Sequence, residues 1–339
     1  MVGRFHDRAA VNAPDRELEA FVVETGLVQN AGETRWSPLA GGVSSDIWRI
    51  ETKERAFCVK RALPQLKVES EWRVPVGRNA YEWDYLQVVD AIAPGHVPRP
   101  IAHDPARGLF AMAWLPPERY PLWKSELLAG RVDVPAAAAV GELLGGIHAA
   151  SARDATLAGR FATDDLFHQL RIDPYLLTIA KKHVEFADVL TALAKRTATT
   201  RLALVHGDVS PKNILLGPDG PVLLDAECAW FGDPAFDLAF CLNHLLIKRR
   251  VVRGAKETLG ASFDRLAECY LRQVDWESRD DLEARAATLL PALALARVDG
   301  KSPLEYLDGL QREQLRQDCR AALAAQPASL AHVKMLLDG

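Results

Sequence analysis

The segment Leu204-Val205-His206-Gly207-Asp208-Val209-Ser210-Pro211-Lys212-Asn213-Ile214-Leu215-Leu216 places an aspartate and an asparagine five residues apart. Leu223-Leu224-Asp225-Ala226-Glu227 follows, with Asp225 seventeen residues beyond Asp208. Phosphoryl transfer from a metal-bound nucleotide needs a carboxylate at the attacking hydroxyl and oxygen donors for Mg²⁺. One short segment supplies all of them. In this reading Asp208 orients or deprotonates an acceptor hydroxyl, a role worth roughly 10²–10⁴-fold in rate. Asn213 contributes an amide oxygen and Asp225 a carboxylate to the metal.

These side chains need a scaffold. Arg201 to Val205 reads as an apolar strand that delivers His206-Gly207-Asp208 to a loop. Ile214-Leu215-Leu216 and Val222-Leu223-Leu224 read as a hairpin whose tip, Gly217-Pro218-Asp219-Gly220, has turn residues. Asp225 then falls at a strand end. Upstream, an amphipathic helix is predicted over Asp15 to Gly26, followed by strands around Trp36–Leu39, Ile47–Thr52 and Ala56–Lys60. A helix over Gly77 to Ala91 and a buried strand over Leu109 to Leu115 complete a first part, which ends at Pro116-Pro117. Beyond it the pattern is mainly helical: Ala136 to Ala150, Asp165 to Leu177 with a break at Pro174, Phe186 to Thr197, and Ala235 to Arg249. The expected organisation is a small β-rich part over 1–115 followed by a larger, mainly helical part over 116–339 that carries the Asp208 loop.

Bulk composition narrows the classes. The 339 residues are 49% hydrophobic and 25% charged, with a net charge of -4, so no general basic surface argues for nucleic acid. No apolar run approaches the roughly 18 residues that span a bilayer, and no signal core opens the chain. The cysteines Cys58, Cys228, Cys241, Cys269 and Cys319 are widely spaced and form no CxxC pair, which favours a reducing, cytoplasmic setting. Gly300-Lys301-Ser302 imitates the end of a Walker A loop, but the required earlier glycine falls at Leu295.

The chain resembles the aminoglycoside phosphotransferase/choline kinase-like superfamily. The residues that carry the resemblance are His206-Gly207-Asp208 with Asn213, Leu224-Asp225-Ala226-Glu227, and Gly232-Asp233-Pro234-Ala235-Phe236-Asp237-Leu238-Ala239. It implies an α+β, protein-kinase-like bilobal fold: a small N-terminal antiparallel β lobe and a larger, mainly helical C-terminal lobe. It also implies ATP and Mg²⁺ as cofactors, a small hydroxylated acceptor, and a structural Asp237 that ties the catalytic loop to the next helix. Ala226-Glu227 replaces the Phe-Gly of protein kinases, and Ser210 stands where they place a lysine, so no protein substrate is expected.

If the resemblance holds, Lys60 reaches the α/β-phosphates and Glu82 is its ion-pair partner. The turn Gly41-Gly42-Val43-Ser44-Ser45 covers the phosphates, with Gly41, Gly42, Ser44 and Ser45 as contacts, although it lacks a full G-x-G-x-x-G. Met112, Ala113 and Trp114 match the hinge strand whose backbone holds adenine. The stretch Arg61 to Pro75, with Ala62-Leu63-Pro64 and Trp72, is similar to methylthioribose kinases, whereas the C-terminal region does not match them. Glu227, Ser210, Arg171, Arg297 and Lys301 are candidates to support the site or meet the acceptor. His206 and His244 read as packed histidines. The leading expectation is a kinase for a sugar-like metabolite. An aminoglycoside-modifying kinase and a catalytically silent nucleotide-binding protein are the alternatives.

Overall fold

The computed structural model describes residues 13–39, 45–63 and 77–338. The chain divides into two compact units. One comprises the residues up to Trp83 with Arg99–Trp114, and the other Asp84–Pro98 with Leu115–Gly339.

The first unit is a five-stranded antiparallel sheet. Its strands are β1 (Arg35–Leu39), β2 (Ser45–Glu51), β3 (Ala56–Ala62), β4 (Pro100–Asp104) and β5 (Leu109–Ala113), in the order β1-β2-β3-β5-β4. The helix Arg16–Glu24 covers one face. Its N-cap is Asp15, whose carboxylate accepts from the Glu17 and Leu18 backbone N–H groups at 3.1 and 3.0 Å. Leu18, Phe21 and Val22 on this helix join Trp48, Ile50, Phe57, Val59, Leu109 and Ala111 in one apolar core. Side chains alternate along a strand, so with Phe57 and Val59 in that core, Cys58 and Lys60 point to the opposite face. There the helix Arg78–Ile92 supplies Glu82.

In the second unit, β6 (Ala203–Val205) pairs antiparallel with β9 (Trp230–Gly232), and between them β7 (Ile214–Gly217) and β8 (Gly220–Leu223) form the hairpin. Helices surround these short strands. Ala235–Val251 is buried along nearly its whole length, and Asp237, Phe240, His244 and Lys248 recur on it at helical spacing. The helices Val134–Ala152 and Lys256–Gln273 approach very closely: a Cβ added at Gly141 would lie 2.2 Å from the Leu266 carbonyl oxygen. No helix among the described residues is long and apolar enough to cross a membrane. All five cysteines are buried, unbridged thiols.

The predicted break at Pro174 does not occur. The chain runs without interruption from the α-helical Asp164–Phe167 through a π-helical stretch, His168–Leu177, into Thr178–Lys182. A π-helical stretch shifts the carbonyls away from the i−4 position that a proline ring would strike in an α-helix. Sequence periodicity registers the proline but not the wider turn. The stretch places Arg171 beside the loop that follows β6, where it meets Gly207 and Asp208.

Candidate active site

The loop that follows β6 is held by its backbone before any reactive group is considered. The Asp237 carboxylate accepts from the His206 N–H at 2.7 Å and from the Gly207 N–H at 2.9 Å. It also lies 3.3 Å from His148 Nε2, and every member of this group is fully buried. Gly207 has φ +77°, and a Cβ there would stand 2.7 Å from the Cys228 carbonyl oxygen, so position and conformation both require glycine. The Asp208 N–H donates to His206 Nδ1 at 3.2 Å, which leaves Nε2 as the protonated nitrogen, donating to the Leu224 carbonyl at 3.0 Å. Burial lowers the His206 pKa and keeps the ring neutral. His206 is thus a strut between the loop and the strand end that bears Asp225.

Asp208 itself is nearly buried and closely surrounded by cations. Lys212 Nζ is 3.0 Å and Arg171 Nη2 is 3.2 Å from Oδ2, and Arg171 Nε also donates to the Gly207 carbonyl. Burial pushes the Asp208 carboxyl upward, but Lys212 and Arg171 outweigh it and hold the pKa below the ordinary aspartate value. The Asn213 amide nitrogen donates both to the Asp208 carbonyl at 3.0 Å and to its carboxylate at 2.9 Å. Both partners are acceptors, which fixes which end of the amide is nitrogen. The amide oxygen of Asn213 is therefore the end available to a cation.

Asp225 follows β8 with φ 63°, a left-handed conformation uncommon for a residue with a side chain. Such backbone persists where the surroundings fix it, and here the Leu224 N–H donates to the Asn213 carbonyl at 2.9 Å. Among the described residues no group of three or more His, Cys, Asp and Glu side chains forms a cage for a metal. An Asn–Asp oxygen pair suits Mg²⁺, which keeps few protein ligands and fills its octahedron with water and phosphate oxygens.

In the first unit, Lys60 Nζ meets Glu82 at 2.8 Å (Oε1) and 2.7 Å (Oε2), with each side chain only 3% exposed. Ser45 opens β2, and its buried hydroxyl has no hydrogen-bond partner. Met112 pairs with Cys58 and Pro100 in the sheet, the Ala113 N–H donates to the Arg99 carbonyl at 2.9 Å, and the Trp114 ring lies 4.8 Å from the Arg49 guanidinium. Gly41, Gly42 and Ser44 lie outside the described residues, as does most of the Arg61–Pro75 stretch.

The remaining candidates separate. Arg171 is in the site. Arg297 donates to Tyr175 Oη at 3.0 Å, and the Tyr175 ring is shared, lying 5.8 Å from the Arg171 guanidinium and 5.9 Å from that of Arg297. Ser210 is buried, with a hydroxyl that finds no partner, and Glu227 is near enough to strengthen the Arg171 charge. Lys301 instead forms an exposed ion pair with Asp173. Sequence reading missed Lys212. The signal was present, since Lys212 adjoins Asn213 and the loop must curl back for Asn213 to reach Asp208.

Residues 35–269 match the phosphotransferase enzyme (APH) family, and the chain belongs to that family. It is 25% identical over 248 residues to a methylthioribose kinase of Escherichia coli O45:K1, covering 63% of this chain and 58% of that one. A methylthioribose kinase of Pectobacterium carotovorum is 25% identical over 329 residues, covering 80% of each. The chain thus spans less than two thirds of the Escherichia coli relative's length. Among solved structures, an amicoumacin kinase in complex with AMP-PNP and Ca²⁺ superposes with a TM-score of 0.56 at 13% identity, covering 93% of this chain and 97% of that one. The fold is that of this kinase-like group.

Proposed function

We propose that the chain transfers the γ-phosphoryl group of Mg-ATP to a hydroxyl of a small, sugar-like acceptor. The observation that carries this reading is the buried Asp208 carboxylate, kept anionic by Lys212 and Arg171 and fixed in place by the Asn213 amide. Asn213 and Asp225 would hold Mg²⁺, which would supply positive charge against the phosphates.

Asp208 accepts a hydrogen bond from the acceptor hydroxyl and so aims the oxygen lone pair at phosphorus. A carboxylate whose pKa is depressed is a weak base. It therefore takes the proton late, as the new O–P bond forms and the bond to the leaving diphosphate oxygen breaks, and then releases it to water. Lys212 is positioned to offset charge on the transferring group, and Lys60, set by Glu82, to hold the non-transferred phosphates. The methylthioribose kinases among the relatives support a sugar-like acceptor. Unbridged thiols accord with a reducing compartment.

The test is transfer of labelled γ-phosphate across a library of hydroxylated metabolites by the wild type and Asp208→Asn. The reading expects a phosphorylated product from the wild type and loss of transfer, with Mg-ATP binding retained, in the variant. Equal transfer by both would remove Asp208 from the reaction.

A further inference from the structure

We infer that the acceptor carries an anionic group, a carboxylate or phosphate, which binds between Arg297, Lys248, Lys124 and Tyr306 beside the catalytic loop. This rests on the phosphotransferase reading above and adds the charge class of its acceptor.

The region begins at the catalytic aspartate. Arg171 touches Asp208 and faces the Tyr175 ring, which also faces Arg297. Beyond Arg297 lie Lys248 and Lys124, whose ammonium groups stand 5.3 and 5.8 Å from the Tyr306 ring centre. Among the described residues the carboxylate paired into this group is Glu305, 2.6 Å from Lys124. Lys248 is 1% exposed and forms no ion pair with a described carboxylate; its polar contact is a long one, 3.4 Å, to Tyr306 Oη. Arg297 likewise forms no ion pair, and its buried Nε has no hydrogen-bond partner. His244, one turn before Lys248, is buried with Nε2 unpartnered.

Burying cations without counter-charge is costly, because water is lost and nothing replaces it. The strain is visible in their titration. Burial, helped by Lys124 and Arg297, brings the Lys248 pKa down to about 7. Burial and the same cations with Lys248 hold His244 well below its ordinary value. A bound anion supplies the missing partner, recharges Lys248 and gives Arg297 Nε and His244 Nε2 their bonds. The same positive cluster repels polyamine or quaternary ammonium acceptors.

The experiment compares matched acceptors with Mg-ATP: glycerate and gluconate for carboxylates, glycerol 3-phosphate for a phosphate, and glycerol and glucitol as neutral counterparts. Each is assayed with wild type, Lys248→Met and the more exposed Lys124→Gln, which keeps the test valid if the buried variant folds poorly. Anionic acceptors are expected to exceed neutral ones in kcat/KM by roughly 10- to 100-fold, the factor a hydrogen-bonded charge contributes. Either variant should remove most of that preference by raising acceptor KM while leaving KM for ATP unchanged. Carboxylates responding without the phosphate, or the reverse, identifies the anion. Equal use of neutral acceptors, or a preference indifferent to both variants, overturns the inference and leaves the phosphotransferase reading standing. Mg-ATP binding with no transfer to any anion overturns it too. Absence of both nucleotide binding and transfer removes the underlying reading along with it.

Discussion

Lys212 Nζ stands 3.0 Å from Asp208 Oδ2, four residues further along the same loop. Half of the lysine side chain is exposed while the aspartate is nearly buried, so the pair has one end in the protein and the other open to ligand. Lys212→Met removes a cation that lowers the Asp208 pKa. In the proposed reaction the carboxylate acts in its charged form, above its pKa, so raising that pKa is expected to shift the acidic limb of the kcat/KM profile to higher pH. A fall in kcat of roughly 10²-fold accompanies it. The measurement is a pH–rate profile, and an unmoved acidic limb would show that Lys212 does not set the acidity of Asp208.

The Asp237 carboxylate accepts from two backbone N–H groups of the loop after β6. Asp237→Ala leaves the His206 and Gly207 N–H groups buried without partners, a loss of about 2–5 kcal/mol. Urea unfolding of the variant measures it. A change within a few tenths of a kcal/mol would mean that water replaces the carboxylate.

Lys60 and Glu82 form a buried pair, for which removing one partner costs about 3–5 kcal/mol while replacing both by apolar residues costs less. Lys60→Met and Glu82→Leu are each expected to destabilise more than the double variant. All three lose Mg-ATP affinity, which calorimetric titration reads. Additive destabilisation in the double variant would contradict the pairing.

Lys248 links stability to pH. Its folded pKa of about 7 lies below the ordinary lysine value of 10.5. Between those values the unfolded chain binds a proton that the folded chain does not, so folding is penalised as pH falls from 10.5 and the penalty levels off below about 7. Lys248→Met removes it and is expected to raise stability at pH 7 by up to roughly 4 kcal/mol, with the gain vanishing above about pH 10.5. Denaturation midpoints at pH 7 and near pH 10.5 test this, and a gain that is the same at both would refute it.

The candidate loop was legible in sequence because its parts are contiguous: Asp208, Asn213 and Asp225 lie within one strand, loop and hairpin. Lys60 and Glu82 were legible through their order relative to that loop, a strand residue followed by a helix residue. The cluster around Tyr306 was not. Lys124, Lys248 and Arg297 belong to three separate helices, and only packing brings them to one ring. Lys248 also sits in a helix whose apolar neighbours hide its burial. At Pro174 a local rule failed because a π-helical stretch, unlike an α-helix, carries the proline without a break.

The helix Ala235–Val251 carries Asp237 in its first turn and Lys248 eleven residues later, about 16 Å along a rod that rises 1.5 Å per residue. One end holds the backbone N–H groups of His206 and Gly207, and the other carries a cation of the inferred anion site. If the anion site is as inferred, substitution at His244 or Lys248 is expected to alter acceptor preference while leaving the bonds at His206 and Gly207 in place. In that arrangement a change of acceptor and a change of chemistry fall on opposite ends of one helix.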